Sequence, residues 1–196
     1  MRLRTVVGAG AALAGYGGLV RPRIADMAVT LPAPPETVWP WLVQMGADRA
    51  GFYSFDRLDN GGRPSAREIH PEWQELAVGD HVASVPDGSR WFVVDELAPE
   101  RRLGLRATLR LPAATCFDPG AQTPRWYLDS RWRFDLAPEP RGRTRLRVTS
   151  SGSGRPRALV ALANRVFWEP AHLVMQARQF AGLRRRVARQ AFLNAA

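Results

Sequence analysis

The chain has 196 residues, of which 45% are hydrophobic and 23% are charged. This length and composition are typical of one soluble folded domain with a sizeable core, and they exclude a disordered chain and a polytopic membrane protein. The one cysteine, Cys116, cannot form an internal disulfide, which excludes a disulfide-stapled fold and any metal site built from several cysteines.

The net charge of +10 is concentrated in the C-terminal part of the chain, and every basic residue is an arginine. Up to Glu139 there are 16 arginines against 17 acidic residues, whereas from Pro140 onward 12 arginines face Glu169 alone. Two interpretations stay open. The basic part attracts phosphates, of nucleic acid or of anionic lipid head groups, or it is an ordinary solvated arginine-rich surface.

Residues 5–20 form an uncharged run of 16 residues between pairs of arginines. A membrane-spanning helix needs about 20 apolar residues, and the five glycines in this run weaken a helix further. The run is a membrane anchor, a peripheral tail or a cleaved signal with Ala12 to Ala14 as its cleavage site. We therefore divide the chain into an N-terminal apolar tail or anchor, residues 1–22, and one domain, residues 23–196.

The domain begins with a predicted strand over residues 24–31, followed by two predicted helices. The first starts at the prolines before Glu36, because proline and an acidic residue both suit a first helical turn, and Gly46 ends it. The second is predicted over residues 52–60, ahead of a Gly61-Gly62 loop.

The middle of the chain changes to a period of two, which predicts half-buried strands. The clearest is residues 125–136, where Trp126, Trp132 and Phe134 alternate with charged residues. Small inward residues, Ser130 here and Ala107 on another predicted strand, leave room beside these aromatic residues. Further strands are predicted over residues 81–85, 91–97, 102–111 and 144–150, which gives an antiparallel sheet of about six strands.

A long helix is predicted from Pro170 to about Phe192. Its predicted inner face holds Leu173, Ala177, Phe180, Leu183, Val187 and Ala191, and its outer face holds Arg178, Arg185, Arg186 and Arg189. A curved sheet with one apolar face buries that face by wrapping around such a helix. The sequence therefore predicts an α+β fold of the helix-grip type that encloses an apolar cavity.

The segment APPETVWPWLVQMG, residues 33–46, resembles the START-like superfamily called SRPBCC, which includes polyketide cyclase/dehydrase-like and lipid-transport proteins. The likeness continues through RAGFYSFD at residues 49–56, Asn60, IHPEWQ at residues 69–74, Gly79-Asp80, and EPAH at residues 169–172 with Met175, and it spans residues 24–192. It implies the helix-grip fold and an apolar ligand between sheet and helix. The subgroup it resembles has no assigned activity and often carries an N-terminal membrane segment, which here is shorter and richer in glycine.

Two hypotheses of function follow. In the first, the protein binds or transports an apolar small molecule, lipid-like or polyketide-like, without catalysis. In the second, it is a cyclase- or dehydratase-like enzyme in which His70 and Asp56 act as acid and base, as the resemblance implies. The residues expected to bind the ligand are Trp41, Met45, Tyr53, Asn60, Trp73, Trp91, Trp126, Ser130, Trp132, Phe167, His172 and Met175. The polar ones also have a purely structural interpretation, as caps and internal hydrogen bonds.

Other chemistry finds no support in the sequence. The three histidines lack metal-ligand spacing, and there is no glycine-rich phosphate loop or nucleophile elbow, so neither a metal nor a cofactor is expected. Nucleic acid is not an expected partner, because the aromatic residues alternate away from the charged ones. The expected partners are an apolar ligand and an anionic membrane surface, met through the arginine-rich C-terminal helix, and the expected location is the cytoplasm or a membrane reached through the N-terminal segment.

Overall fold

The computed structural model describes residues 23–195, and the predicted N-terminal tail or anchor lies outside them. The described chain begins with one strand, continues with short helices and then six strands, and ends in a long helical segment. The elements are β1 (Arg23–Leu31), α1 (Pro35–Val43), α2 (Asp56–Asp59), a 3-10 turn (Pro71–Trp73), β2 (His81–Ala83), β3 (Trp91–Ala98), β4 (Arg102–Arg110), β5 (Thr115–Cys116), β6 (Tyr127–Glu139), β7 (Arg143–Arg155), α3 (Arg157–Ala163), a π-helical turn (Asn164–Trp168) and α4 (Glu169–Ala195).

The strands form one antiparallel sheet in the order β1-β7-β6-β4-β3-β2, with β5 added beside β4. The predicted α+β helix-grip fold is confirmed, and six of the strands are those expected from the alternation. The seventh, β5, contains Cys116 and was not predicted. A strand of two residues is too short to produce a pattern in the sequence.

The second predicted helix is much shorter than expected. It covers only Asp56–Asp59, because the chain ahead of it turns sharply at Gly51 and Tyr53, which have φ angles of +72° and +61°. The backbone N–H of Tyr53 donates to the Ser65 hydroxyl instead of to a helical carbonyl. Aromatic residues over 52–55 therefore point into the domain from an irregular segment.

The C-terminal helical segment is longer than predicted and begins at Arg157, well before Pro170. Pro170 was expected to start the helix, yet it lies in the first turn of α4, directly after the π-helical turn. A proline cannot donate to the carbonyl of the preceding turn, so the helical ladder has to change at this point. The wider π turn is where it changes.

The predicted inner face of α4 is right only in the second half of the helix. Phe180, Leu183 and Val187 are buried as expected, whereas Leu173 is 39% exposed and Ala177 is also exposed. The buried stripe is rotated toward two glutamines, Gln176 and Gln179, which a count of apolar residues overlooks.

Arg186 was expected on the outer basic face of the helix, but its side chain points inward. Its guanidinium donates to the carbonyl oxygens of Ala66 at 2.6 Å and Ser65 at 3.0 Å, and it lies 4.7 Å from the centre of the Tyr53 ring. The long aliphatic stem of arginine allows this inward path along apolar surface.

The solid core fills only one half of the space between the sheet and the helices. There the inner face of β6 and β7 contributes Phe134, Leu136, Leu146 and Val148, which pack with α1 and the second half of α4. The other half of the inner face is covered by the π-helical turn and the first half of α4, and it is packed less completely.

Candidate ligand cavity

A pocket of about 400 Å³ lies between the inner face of the sheet and the helical segment from the π turn to Gln179. Its walls are mostly apolar and come from strands β3, β4, β6 and β7 and from the irregular segment before α2. The volume is within the range typical of small-molecule sites.

The pocket exists because the inner face of the sheet carries small side chains in this half. Ala107 of β4 and Ser130 of β6 lie opposite each other in the ladder, and Ser150 and Gly152 follow on β7. At the equivalent positions in the other half stand Phe134 and other large residues. The same alternation therefore builds a core at one end of the strands and a cavity at the other.

A chain of hydrogen bonds closes the cavity on the side of the core. The indole Nε1 of Trp132 donates to Gln176 Oε1 at 3.2 Å, Gln176 Nε2 donates to Gln179 Oε1 at 2.7 Å, and Gln179 Nε2 donates to the carbonyl oxygen of Phe52 at 3.0 Å. The Trp132 ring also lies 6.0 Å from the rings of Phe52 and Phe92. Because every polar group in this series of hydrogen bonds has a partner, burying the two glutamine side chains costs little free energy.

Asn164 is a polar side chain of the wall whose hydrogen bonding is incomplete. It is 8% exposed, and its Nδ2 donates to the Gly152 carbonyl oxygen at 3.3 Å, while its Oδ1 is buried and accepts no hydrogen bond. The Gly152 carbonyl requires the amide nitrogen on its side, which leaves the oxygen as the orphan. A buried acceptor without a donor costs about 1–3 kcal/mol.

His172 is the one cavity histidine within residues 23–195. Its Nδ1 lies 3.5 Å from the Ser150 hydroxyl, and burial lowers the pKa of its imidazole below the usual value. The ring is therefore neutral near pH 7 and offers one donor and one acceptor rather than a charge.

Asp59, next to Leu58 at the end of α2, brings a carboxyl group to the cavity wall. Both carboxylate oxygens are buried and lack a hydrogen bond of standard geometry, and weaker ones from Ser54 and the adjacent backbone only partly offset the burial. Burial, with the neighbouring charge of Asp56, raises the pKa of Asp59 to about 6.

The structure brings together five of the residues that the sequence analysis expected to bind a ligand. All five line the cavity, on strands β3 and β6 and on the first half of α4. They are Trp91, Ser130, Trp132, His172 and Met175.

Three other expected residues lie in the solid core instead. Trp41 and Met45 are each 1% exposed, and Tyr53 packs against Trp41 with ring centres 5.8 Å apart. The Tyr53 hydroxyl donates to the Trp41 carbonyl at 2.9 Å and accepts from Gln44 Nε2 at 3.0 Å, and burial raises its pKa. This buried network is structural.

The remaining expected residues lie outside the cavity lining. Asn60 donates to the Arg63 carbonyl at 2.7 Å and holds the loop after α2. Trp73 lies against the His70 ring. Trp126 is 47% exposed because it precedes the first residue of β6, and Phe167 is 61% exposed on the outside of the π turn.

His70 and Asp56, the expected acid and base, lie away from the cavity walls. His70 is 4.3 Å from the Trp73 ring, and its Nδ1 is 3.2 Å from Glu72 Oε1 at the surface. Asp56 accepts a hydrogen bond from the Ser65 hydroxyl at 2.5 Å, which fixes the loop after α2. Neither side chain lines the pocket that a substrate could enter.

Several polar residues of the cavity wall escaped the sequence analysis, among them Asp59, Asn164, Gln176 and Gln179. The glutamines follow the helical spacing of the buried stripe, which was a usable signal. Asn164 lies before Pro170, the predicted helix start, in a segment for which no helix was predicted. No pattern in the sequence distinguishes Asp59 from Asp56, which lies on the same predicted helix and was given the acid/base role.

Among residues 23–195, no cluster of three or more histidine, cysteine or acidic side chains is placed to hold a metal ion. In the same range, no helix combines the length and hydropathy that crossing a bilayer requires.

Comparisons with known proteins give only distant structural likenesses. No family model and no curated protein matches the chain. Among solved structures, the chain is similar to protein MLL2253 from Mesorhizobium loti, with 21% identity over 84% of this chain and 98% of that one and a TM-score of 0.49. It is also similar to DynU16 of the dynemicin biosynthetic locus (19% identity, 81% of this chain but 46% of that one, TM-score 0.44) and to CalU16 from Micromonospora echinospora (16% identity, 87% of each chain, TM-score 0.37). Likenesses this distant carry no inference about ligand or activity.

Proposed function

We propose that this protein binds a small, mostly apolar molecule that carries a hydrogen-bond donor, and that it acts as a binding or transport protein rather than as an enzyme. The observation that carries the proposal is the mostly apolar cavity of about 400 Å³, whose wall includes Asn164, a side chain with an unpaired amide oxygen. The resemblance of the sequence to the SRPBCC superfamily, whose members typically enclose apolar ligands, supports it.

The polar groups of the wall favour a ligand with a donor. A purely apolar guest would leave Asn164 Oδ1 without a partner, whereas a ligand hydroxyl or N–H group toward which the Asn164 side chain turns would satisfy it. Neutral His172 and the Ser150 hydroxyl offer further neutral partners nearby on the wall. Gln176 and Gln179, by contrast, already have hydrogen-bond partners within the protein. The part of the ligand beside them therefore needs to make only apolar contacts.

Catalysis by His70 and Asp56 is less well supported, because both side chains are engaged in contacts outside the cavity walls. A general acid or base has to reach the reacting atoms directly or through one water. The ligand-binding interpretation makes no such demand on either residue.

The proposal is tested with two probes of similar shape, 1-naphthol and 1-methylnaphthalene, titrated against the intrinsic fluorescence of the full chain. Trp91 and Trp132 line the cavity and report occupancy. We expect 1-naphthol to bind about fivefold to thirtyfold more tightly, and Asn164→Leu to remove that preference while keeping affinity for the apolar probe. Asn194→Leu, an exposed asparagine on the same helix, is the matched control.

Two results would contradict the proposal. If neither probe binds, the pocket is a packing defect rather than a site. If both bind equally well to the wild-type chain and to Asn164→Leu, the amide oxygen does not select a donor. Native mass spectrometry of the gently purified chain complements the titration, since a stoichiometric low-polarity adduct would identify the natural ligand class.

A further inference from the structure

The helical segment that covers the cavity turns several polar residues inward and several large apolar residues outward. Its inward positions include Asn164, His172 and Gln176. Its outward positions carry six large apolar residues that are 39–68% exposed. We call these six the outer face: Leu159, Leu162, Val166, Phe167, Leu173 and Val174.

Such a face is unusual for a helix on the surface of a globular domain. Surface helices normally direct their apolar stripe inward and their charged residues outward. Large exposed apolar patches mark sites that contact another protein, a membrane or a ligand. Between Ala158 and Met175 only Arg165 and Glu169 carry a full charge, so little interrupts the apolar surface.

The charges around the outer face are almost all positive. Arg155 and Arg157 precede it, Arg165 lies within it and Arg178 follows it, and all four are exposed. Trp168, 39% exposed, packs edge-on against Phe167 with ring centres 5.0 Å apart. An apolar helix face with an arginine rim and aromatic residues at its border is typical of helices that lie in the interface of an anionic bilayer.

We propose that the outer face docks onto an anionic lipid bilayer, with the segment from Leu159 to Val174 parallel to the membrane surface. Docking in this plane needs no helix long enough to span the bilayer. A second copy of the chain is a poorer occupant, because a two-fold contact through this face would bring both sets of rim arginines together. The lipid surface, by contrast, supplies the opposite charge.

The first strand of the described chain lies next to the strand that precedes the outer face. Strand β1 begins at Arg23, whose partner in the ladder is Ser151, six residues before α3. Arg23, the first described residue, therefore lies beside the strand that leads into the helical segment. The inference goes beyond ligand binding and does not depend on it, since the outer face would meet lipid whether or not the cavity is filled.

The test uses the full chain and vesicles of phosphatidylcholine with and without phosphatidylglycerol. We expect flotation with the anionic vesicles, and a loss of vesicle affinity of about tenfold or more in the double variant Leu162→Ser/Phe167→Ser. The matched control is Phe192→Ser/Leu193→Ser, which removes two exposed apolar residues from the same helix outside the outer face and is expected to bind as the wild type does. Circular dichroism checks that both variants stay folded.

A second readout separates the outer face from the N-terminal run, which contains no tryptophan. Brominated phosphatidylcholine quenches tryptophans that enter the bilayer, and we expect Trp168→Phe to lose part of the quenching, the rest coming from Trp126 beside the rim arginines, while Trp73→Phe keeps all of it. Quenching unchanged in Trp168→Phe, or equal flotation of the two double variants, would overturn the proposal. So would a dimer in light scattering that Leu162→Ser/Phe167→Ser converts to a monomer, since the outer face would then be covered by a second copy.

Discussion

Replacing Asp59 by asparagine should stabilise the fold at neutral pH and leave it unchanged in acid. Burial raises the pKa of Asp59 from 3.8 to about 6, so the folded state binds a proton more tightly than the unfolded chain does. Ionisation therefore opposes folding, and this penalty is absent below about pH 4, develops between pH 4 and 6, and is complete above pH 6. At 1.36 kcal/mol per pKa unit the ceiling is about 3 kcal/mol, which partial solvent exposure reduces to about 1–2 kcal/mol.

The assay is urea unfolding of the wild type and Asp59→Asn at several pH values from 4 to 8. The difference in the free energy of unfolding should grow from about zero at pH 4 to about 1–2 kcal/mol at pH 8, a shift of roughly 2–8 °C in Tm. Asp87→Asn is the control with the opposite sign, because hydrogen bonds from Ser89 lower the pKa of Asp87 and stabilise its ionised form. A difference that does not change with pH, or a destabilised Asp59→Asn at pH 8, would refute this account of Asp59.

Three further substitutions test the cavity and the packing around it. Ala107→Leu should fill the cavity, lowering 1-naphthol affinity by more than about tenfold in the fluorescence titration without lowering Tm. Gly182→Ala would place a methyl group 2.1 Å from the Tyr53 carbonyl oxygen, so urea unfolding should show a loss of about 3 kcal/mol, and an unchanged midpoint would contradict the close approach. Arg106→Ala removes two hydrogen bonds, of 2.9 and 3.0 Å, to nearly buried Asp129 and should cost about 2 kcal/mol, with a double-mutant cycle to isolate the pair.

The fold was predictable because its elements have strong and separate periodicities. The alternation on β6 places Phe134 inward and Arg133 outward, and the structure follows it. The pattern failed at the ends of elements, where periodicity no longer constrains the backbone. Trp126 continues the alternation but precedes the strand, and Phe52 fits a helical pattern that the turn at Gly51 interrupts.

The polar residues of the cavity wall were less predictable, because a missing hydrogen-bond partner, rather than the residue type, distinguishes them. Asn164 matters through an oxygen without a donor, and Asp59 through a carboxylate that burial leaves unsatisfied. A missing partner depends on the positions of every neighbouring atom, and no spacing along the chain records it. Trp132 and Ser130, by contrast, were accessible from alternation alone.

The first half of the C-terminal helical segment shows that periodicity identifies an apolar side of a helix but does not tell whether that side faces the sheet or the solvent. The spacing of Leu159, Leu162 and Val166 indicates one apolar side, and the usual rule would turn that side toward the sheet. The inner wall instead needs polar groups, because Gly152 presents a carbonyl to Asn164 and Trp132 presents an N–H to Gln176. The side of the helical segment that carries Asn164 and Gln176 forms these hydrogen bonds, so the side that carries the large apolar residues is exposed. Because that exposure costs free energy in water, the proposed bilayer contact and the polar lining of the cavity are two consequences of a single orientation of the helix.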